Sequence, residues 1–414
     1  MHVPDGWRQE KLGKISTAVT SGSRDWAQFY SDSGSKFIRM TNLRRDGIYL
    51  KLDDLKYVDV KSDSADGKRT ALVNGDILIS ITAELGKIGW IPENFGEAFI
   101  NQHTALVRIN QNKADSKFIA YLLSSKKMNA VINQLNDAGA KAGLNLPTIK
   151  ALPLLLPPFK EQQKIAQILS TWDKAIEKME AMIAAKQKRK KALMQQLLTD
   201  KKRFAGFQGE WKECKIGKIS NTVTSGSRDW AQFYSETGSK FIRMTNLRRD
   251  GIYLNLYDLK YVDVKSDSAD GKRTALTGGD ILISITAELG KIGWIPEGFG
   301  EAYINQHTAL IRINNKKADS KFIAYLLSSE KMNAVITQFN DAGAKAGLNL
   351  LTIKSLPIVL PPLPEQQKIA SVLTAADTEI ETHQKQLSAL KQQKKGLMQQ
   401  LLTGKKRVKV DGHV

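Results

Sequence analysis

Between residues 165 and 197, aliphatic or aliphatic-stemmed side chains return in alternating steps of four and three: Ile165, Leu169, Trp172, Ile176, Met179, Ile183, Lys186, Lys190, Leu193 and Leu197. That spacing keeps a stripe on one side of an α-helix and predicts a helix of about forty residues with a coiled-coil seam. The same spacing recurs at Ile369, Leu373, Ala376, Ile380, His383, Leu387, Leu390, Lys394, Leu397 and Leu401, and two such helices most simply pack on each other. Pro157, Pro158 and Glu161 suit the start of the first helix, and Gly404 suits the stop of the second. Shorter patterns precede each helix. Residues 36–40 read as a strand, and residues 77–81, opened by Gly75 and Asp76, as a buried strand. Residues 88–91 read as its hairpin partner across the polar tip 82–87. Residues 102–108 give a further strand, and residues 116–125 a helix through Phe118, Ile119, Leu122 and Leu123. Residues 20–26, 41–47 and 136–145 are polar and glycine-bearing and read as loops. The expectation is a mixed α/β (α+β) domain ahead of each long helix.

The chain is a tandem duplication. From Trp7 to Arg203, adding 204 to a residue number reaches its counterpart with no insertion or deletion: Ser21 goes to Ser225, Trp26 to Trp230, His103 to His307 and Pro157 to Pro361. Comparing residues 7–158 with 211–362 gives 24 differences in 152 positions, whereas the helices keep mainly their seam and the Leu-Met-Gln-Gln-Leu-Leu-Thr ending. The expected divisions are a first globular domain (1–158), a central long helix (159–203), a second globular domain (204–362), a distal long helix (363–404) and a basic tail (405–414).

Charge narrows the choice of partner. The formal net charge is +20, and residues 159–204 hold 12 basic against 5 acidic residues, compared with 21 against 15 over residues 7–158. A polyanion fits this balance, nucleic acid before membrane. The run Lys186-Gln-Lys-Arg-Lys-Lys191 is a solvated face by default, or else a hold on DNA or on a partner subunit. The opening residues lack the apolar stretch of a signal peptide and no run approaches a membrane span, so a cytoplasmic location is expected. The single cysteine, Cys214, rules out an internal disulfide and stands where the first repeat has Glu10, which suggests a surface position.

With these features in hand, the chain resembles the specificity (S) subunit of type I DNA restriction-modification systems. Three features carry the likeness: a recognition-sized domain followed by a long helix, twice; the Leu-Pro-x-x-x-Pro-Pro-x-x-Glu-Gln-x-x-Ile-Ala passage at residues 152–166 and 356–370; and the Gly-Asp-Ile-Leu-Ile-Ser, Gly-Lys-Ile-Gly, Asn-Gln-His-Thr-Ala passage at residues 75–105 and 279–309. Family members usually carry two dissimilar recognition domains, whereas these are nearly the same. The resemblance implies a subunit without catalysis or cofactor of its own, whose domains each read one half of a split double-stranded DNA site. It further implies two methyltransferase subunits that bring S-adenosylmethionine, restriction subunits that bring ATP-driven translocation and cleavage, and paired helices acting as a ruler. About 38 helical residues span roughly 57 Å, or about 17 base pairs, enough for two short half-sites and a spacer. Antiparallel packing of the two helices as a coiled coil gives an approximate two-fold axis, and nearly equal domains in that arrangement predict an interrupted palindrome.

Base reading needs donors and acceptors on exposed elements. The candidates are Ser23, Arg24 and Trp26; Asn42, Arg44 and Arg45; Thr82 and Glu84; His103; and Lys141 with Asn145. Their counterparts are Ser227, Arg228, Trp230, Asn246, Arg248, Arg249, Thr286, Glu288, His307, Lys345 and Asn349. Trp26 also suits a core anchor, His103 a structural hydrogen bond, and the Arg44-Arg45 pair phosphate contact or plain solvation. Lys141 is favoured as a phosphate contact because its neighbouring glycines admit close approach. Other activities lack their motifs. The Leu-Pro-Pro-Phe at residues 156–159 lacks the leading Asn or Asp of a methyltransferase motif, no stretch fits a P-loop, and no His/Cys cluster suits zinc. Asp76, Glu84 and Lys87 give a loose nuclease-like spacing better read as turn residues around a hairpin. A coiled-coil scaffold whose domains bind protein remains the competing class.

Overall fold

The computed structural model describes residues 3–24, 26–60, 63–135, 143–228, 230–264, 266–338 and 347–410. It divides into two compact units, Met1–Glu180 with Lys385–Val414, and Ala181–Gln384. The boundaries differ from the linear divisions expected from the sequence: each unit takes one globular region, the start of one long helix and the end of the other.

The first unit opens with β1 (Arg8–Lys11) and β2 (Ser16–Ser21), followed by β3 (Tyr30–Ser31), β4 (Ser35–Ile38), β5 (Lys56–Val58) and the short helix α1 (Ala65–Thr70). Then come β6 (Ile77–Ser80), β7 (Ile88–Trp90), β8 (Ala98–Ile100) and β9 (Thr104–Ile109). Helices α2 (Ser116–Ser124), α3 (Lys126–Gln134) and α4 (Leu146–Ala151) lead to β10 (Pro153–Leu156). One four-stranded antiparallel sheet has the order β2-β9-β6-β7, and a second has β3-β5-β4-β8 with β4 and β8 parallel. A two-stranded ladder closes β1 on β10. The predicted hairpin of β6 and β7 is present, with Ile77 opposite Trp90 and Ile79 opposite Ile88. Every residue of β6 is buried, which is why its sequence is a continuous apolar run rather than an alternating one.

The core of this unit joins Ile77, Ile79, Val107, Phe118, Ile119 and Leu123 to Ile165 and Leu169 of the long helix. Helix α2 starts on Asp115, whose carboxylate accepts the Phe118 amide at 2.7 Å. The Glu-Gln of the long-helix start then finds its use. Gln162 accepts the Asp115 amide at 2.9 Å and donates to the Pro157 carbonyl at 2.9 Å. Glu161, 2% exposed, takes a two-pronged ion pair from Arg407, with both contacts at 2.8 Å. The expected basic tail is therefore part of the first unit as far as it is described, with Arg407 also donating to the Asp5 carbonyl at 2.6 Å and Val408 packed on the core.

The second unit repeats this arrangement, its sheets and two-stranded ladder matching strand for strand. Arg203 pairs with Glu365 at 2.6 and 3.0 Å and donates to the Gly209 carbonyl, as Arg407 does with Glu161 and Asp5. Cys214 is half-buried, on a strand paired to Pro357–Leu360, so the expected surface position is corrected.

Both long helices are continuous, Phe159–Leu197 and Leu363–Leu401, with 39 residues each. Within the first unit, Asp173 pairs with Lys394 at 2.5 Å and Glu180 with Lys391 at 2.6 Å. Within the second, Lys190 pairs with Asp377 at 2.6 Å and Lys186 with Glu379. One number rises as the other falls, so in each unit the two helix segments run antiparallel. The seam positions from Ile165 to Leu197 and from Ile369 to Leu401 are the buried or half-buried ones, Lys190 and Lys394 included. Those two lysines fit a seam because their alkyl stems pack inside while each ammonium meets an aspartate. The globular part reaches the same point, for the Tyr121 hydroxyl donates to Asp173 and that of Tyr325 to Asp377, each at 2.6 Å. Burial and the aspartate charge push both phenols well above the ordinary tyrosine range, so both hydroxyls keep their protons. Among the described residues, no helix is long and apolar enough to cross a membrane.

Candidate nucleic-acid interface

Several of the candidate segments converge in each unit. The first rests on Gly22, whose amide donates to the Thr104 carbonyl. A Cβ there would stand 2.1 Å from the Asn101 carbonyl oxygen, so only glycine permits the approach. Ser23 is buried, bridged to Asn101, donating its hydroxyl to Asp66 and accepting from Arg69 at 2.6 Å. The Ser23 hydrogen bond, then Arg69, hold the Asp66 carboxyl below the usual carboxylate range. Arg24 is exposed. Trp26 is 5% exposed, packs on Phe37 and Phe99 and donates its indole N–H to the Ser23 carbonyl at 2.8 Å, which makes it the anchor beneath the loop rather than a base contact.

The second segment turns on Asn42, which the structure removes from the base-reading set. It is 2% exposed, and both ends of its amide are engaged, Oδ1 accepting the Arg39 amide at 2.9 Å and Nδ2 donating to the Lys51 carbonyl at 2.8 Å. Asn246 has the same bonds, to Arg243 and Asn255. Arg44 continues as backbone, bridged to Ile88. Arg45 is exposed and reaches toward the hairpin tip, donating to the Leu85 carbonyl at 3.3 Å, while Arg249 does the same to Leu289 at 3.0 Å.

That tip is rigid. Ala83 holds a left-handed φ of 54°, and Ala287 one of 55°. The Ser80 hydroxyl donates to the Glu84 carbonyl and accepts the Lys87 amide. Glu84 pairs with Lys87, whose hydrogen bond and charge lower its pKa, and Arg45 adds to the effect; Glu288 and Lys291 repeat the pair. Thr82 shares a hydrogen bond with His103 at 2.9 Å and is bridged to Gly143. His103 thus serves as a structural hydrogen-bonder, though it stands in the turn before β9 rather than within the strand, and His307 with Thr286 repeats it. Asn145 and Asn349 cap the short helices after them, accepting from Thr148 and Thr352 at 2.8 Å. Lys141 and Lys345 lie outside the described residues.

Contacts therefore link the loop at residues 22–26, the arginine pair, the hairpin tip and the turn at His103, with Arg24, Arg45 and Glu84 on the exposed side and Ser23, Trp26 and Asn42 beneath. Sequence reasoning missed Arg69 and Asp66, which fasten the first loop from α1. The available signal was Ser64 three residues before Gly67, an N-cap spacing whose hydroxyl accepts the Gly67 amide at 3.0 Å. Asp76 is fully buried against Arg108, with contacts at 2.7 and 2.8 Å, so it braces β6 against β9. Among the described residues, no three His, Cys, Asp or Glu side chains gather as a metal site.

The family model of the type I restriction modification DNA specificity domain matches residues 4–185 and again residues 208–392. The chain is 29% identical over 426 aligned positions to the MjaX type I restriction enzyme specificity subunit of Methanocaldococcus jannaschii, covering 98% of this chain and 95% of that one. It is 24% identical over 428 positions to the MjaVIII specificity subunit of the same organism, covering 99% and 95%. In fold it is similar to the S subunit of a type I restriction-modification system from M. genitalium, with a TM-score of 0.61 at 14% identity over 97% of this chain and 98% of that one. The matched stretches take in both globular regions and most of each long helix, and the chain belongs to the type I restriction-modification specificity subunit family.

Proposed function

We propose that each unit reads one half of a split double-stranded DNA site, and that the two half-sites are nearly identical and inverted. The carrying observation is where the repeats differ. None of the 24 differences falls on a candidate residue: Ser23, Arg24, Asn42, Arg44, Arg45, Thr82, Glu84, Lys141 and Asn145 all recur unchanged 204 positions later. Two units with the same candidate groups on the same scaffold read the same bases. The long helices set the separation of the half-sites and dock two methyltransferase subunits, which bring S-adenosylmethionine to adenines. Restriction subunits join the complex with their own ATP chemistry, and the chain itself is non-catalytic.

The test is a map of adenine methylation in cells carrying this gene with its methyltransferase partner, against cells with the gene deleted. One interrupted palindrome should lose its methylation on deletion. Loss at an asymmetric split site would keep the recognition role and refute the equal half-sites. No change at any motif, with the complex expressed, would favour a protein-binding scaffold.

A further inference from the structure

Among the differing positions, one alters exposed surface beside the candidate interface from acidic to aromatic. Tyr257 is 98% exposed and follows Leu256 at 44%, whereas its counterpart is Asp53, following Leu52 at 45%. The turn that carries it is fastened at both ends. Asn255 exchanges two backbone-side hydrogen bonds with Asn246, its amide donating to the Asn246 carbonyl and its carbonyl accepting from Asn246 Nδ2, both at 2.8 Å. On the far side, Arg243 donates to the Asp258 carbonyl at 2.8 Å and to its carboxylate at 2.7 Å. Between these, the Tyr257 amide donates to Asn255 Oδ1 at 3.2 Å. The anchoring residues Arg243 and Asn246 flank the turn that leads into Arg248 and Arg249, so a large amphipathic ring is held in solvent on a segment tied to the arginine pair. The first repeat has Lys51 and Asp53 where the second has Asn255 and Tyr257, so the local formal charge is unchanged and only the chemistry differs.

We propose that Tyr257 grips the sugar–phosphate backbone flanking the half-site held by the second unit, its ring on a deoxyribose and its hydroxyl donating to a phosphate oxygen. The first unit lacks this grip because the Asp53 carboxylate offers neither a ring for the sugar nor a proton to donate to phosphate. The two units would then read equal bases and hold them unequally. The inference rests on the reading of each unit as a DNA-recognition domain.

The experiment measures affinity of the complex with its methyltransferase subunits for a short duplex carrying the mapped split site, across a salt series. Tyr257→Ala should weaken binding about tenfold, the lower end for one hydrogen bond to a charged group. The salt slope should not change, because a neutral phenol displaces no counterion. Asp53→Tyr should tighten binding by a similar factor, and the double variant should return near the parent, since the two positions lie on separate repeats. Thermal melting should match the parent in every variant, the altered side chains being exposed. A parent that binds its site while Tyr257→Ala and Asp53→Tyr both stay within about twofold of it overturns the inference, as does a Tyr257→Ala variant that loses methyltransferase subunits but keeps its DNA affinity. A parent with no preference for the split site overturns the DNA reading itself.

Discussion

Arg45 and Asn42 are three positions apart, and the sequence offers no way to tell their roles apart, because both are residue types that contact bases. Burial separates them: Asn42 spends its amide on Arg39 and Lys51, while Arg45 is exposed and makes long bonds to Leu85 and Asn129. Bonds of 3.3 and 3.4 Å are weak enough for a phosphate to displace. Arg45→Ala should therefore lower DNA affinity at every sequence alike and reduce the salt slope by about one, as loss of a single phosphate contact does, and Arg249→Ala should do the same at an equally exposed guanidinium held by bonds of 3.0 and 3.3 Å. Titration of DNA binding at several salt concentrations measures both. A change in the methylated sequence instead would mean that these arginines touch bases. The same contrast explains what was legible at this scale. Trp26 and His103 are open to a structural reading, since an indole more often packs or anchors a loop than reads a base, and a lone imidazole more often bonds internally. Nothing in the string Thr-Asn-Leu-Arg-Arg announces which side chain faces inward.

At the scale of elements, the long helices were the most legible feature, because a seam repeated over many turns leaves no other secondary structure that could bury it. The short strands β1, β3, β5, β8 and β10 were not, since runs of four or fewer residues are too short to show a period. The seam also holds a polar point that periodicity presents as a mere lysine. Lys394, 5% exposed, lies on Asp173, which accepts the Tyr121 hydroxyl as well. One aspartate thus ties both long helices to α2. Asp173→Ala would leave an ammonium and a phenol without their acceptor, and the expected loss is about 3 kcal/mol, the lower end for breaking a buried pair. Combining it with Lys394→Met should recover a large part of that loss, because the stranded charge goes with its partner. Chemical denaturation of the parent and the two variants decides it. Equal destabilisation in the single and double variants would show that the aspartate acts through Tyr121 alone.

At the scale of the whole molecule, the duplication predicts a globular domain followed by a long helix, twice, whereas each compact unit takes the start of one long helix and the end of the other. The reason lies in the last residues. Arg203 follows the first helix and closes on Glu365 of the second unit, while Arg407 follows the second helix and closes on Glu161 of the first. Each repeat therefore ends by completing the unit it does not begin, and the first unit is assembled from both ends of the chain. The sequence contains this in the offset of 204 that carries Arg203 to Arg407, but contact between residues 246 apart leaves no local pattern to read. The arrangement predicts a local effect. Glu161 has a side chain 3% exposed, so Arg407→Ala strands a buried carboxylate and should cost about 3 kcal/mol, the lower end for a buried pair because the Arg407 side chain is itself 44% exposed. The loss should fall on the first unit: hydrogen exchange should quicken in β1 and at the start of the first long helix, with the corresponding segments at residues 212–215 and 363–370 unchanged. Arg203→Ala should produce the reverse map. Adding Glu161→Gln to Arg407→Ala removes the stranded charge while keeping the volume, and protection of the first unit should largely return. Equal quickening in both units after either single substitution would show that the chain opens as one cooperative body, and that closure by the ends is not what holds the first unit together.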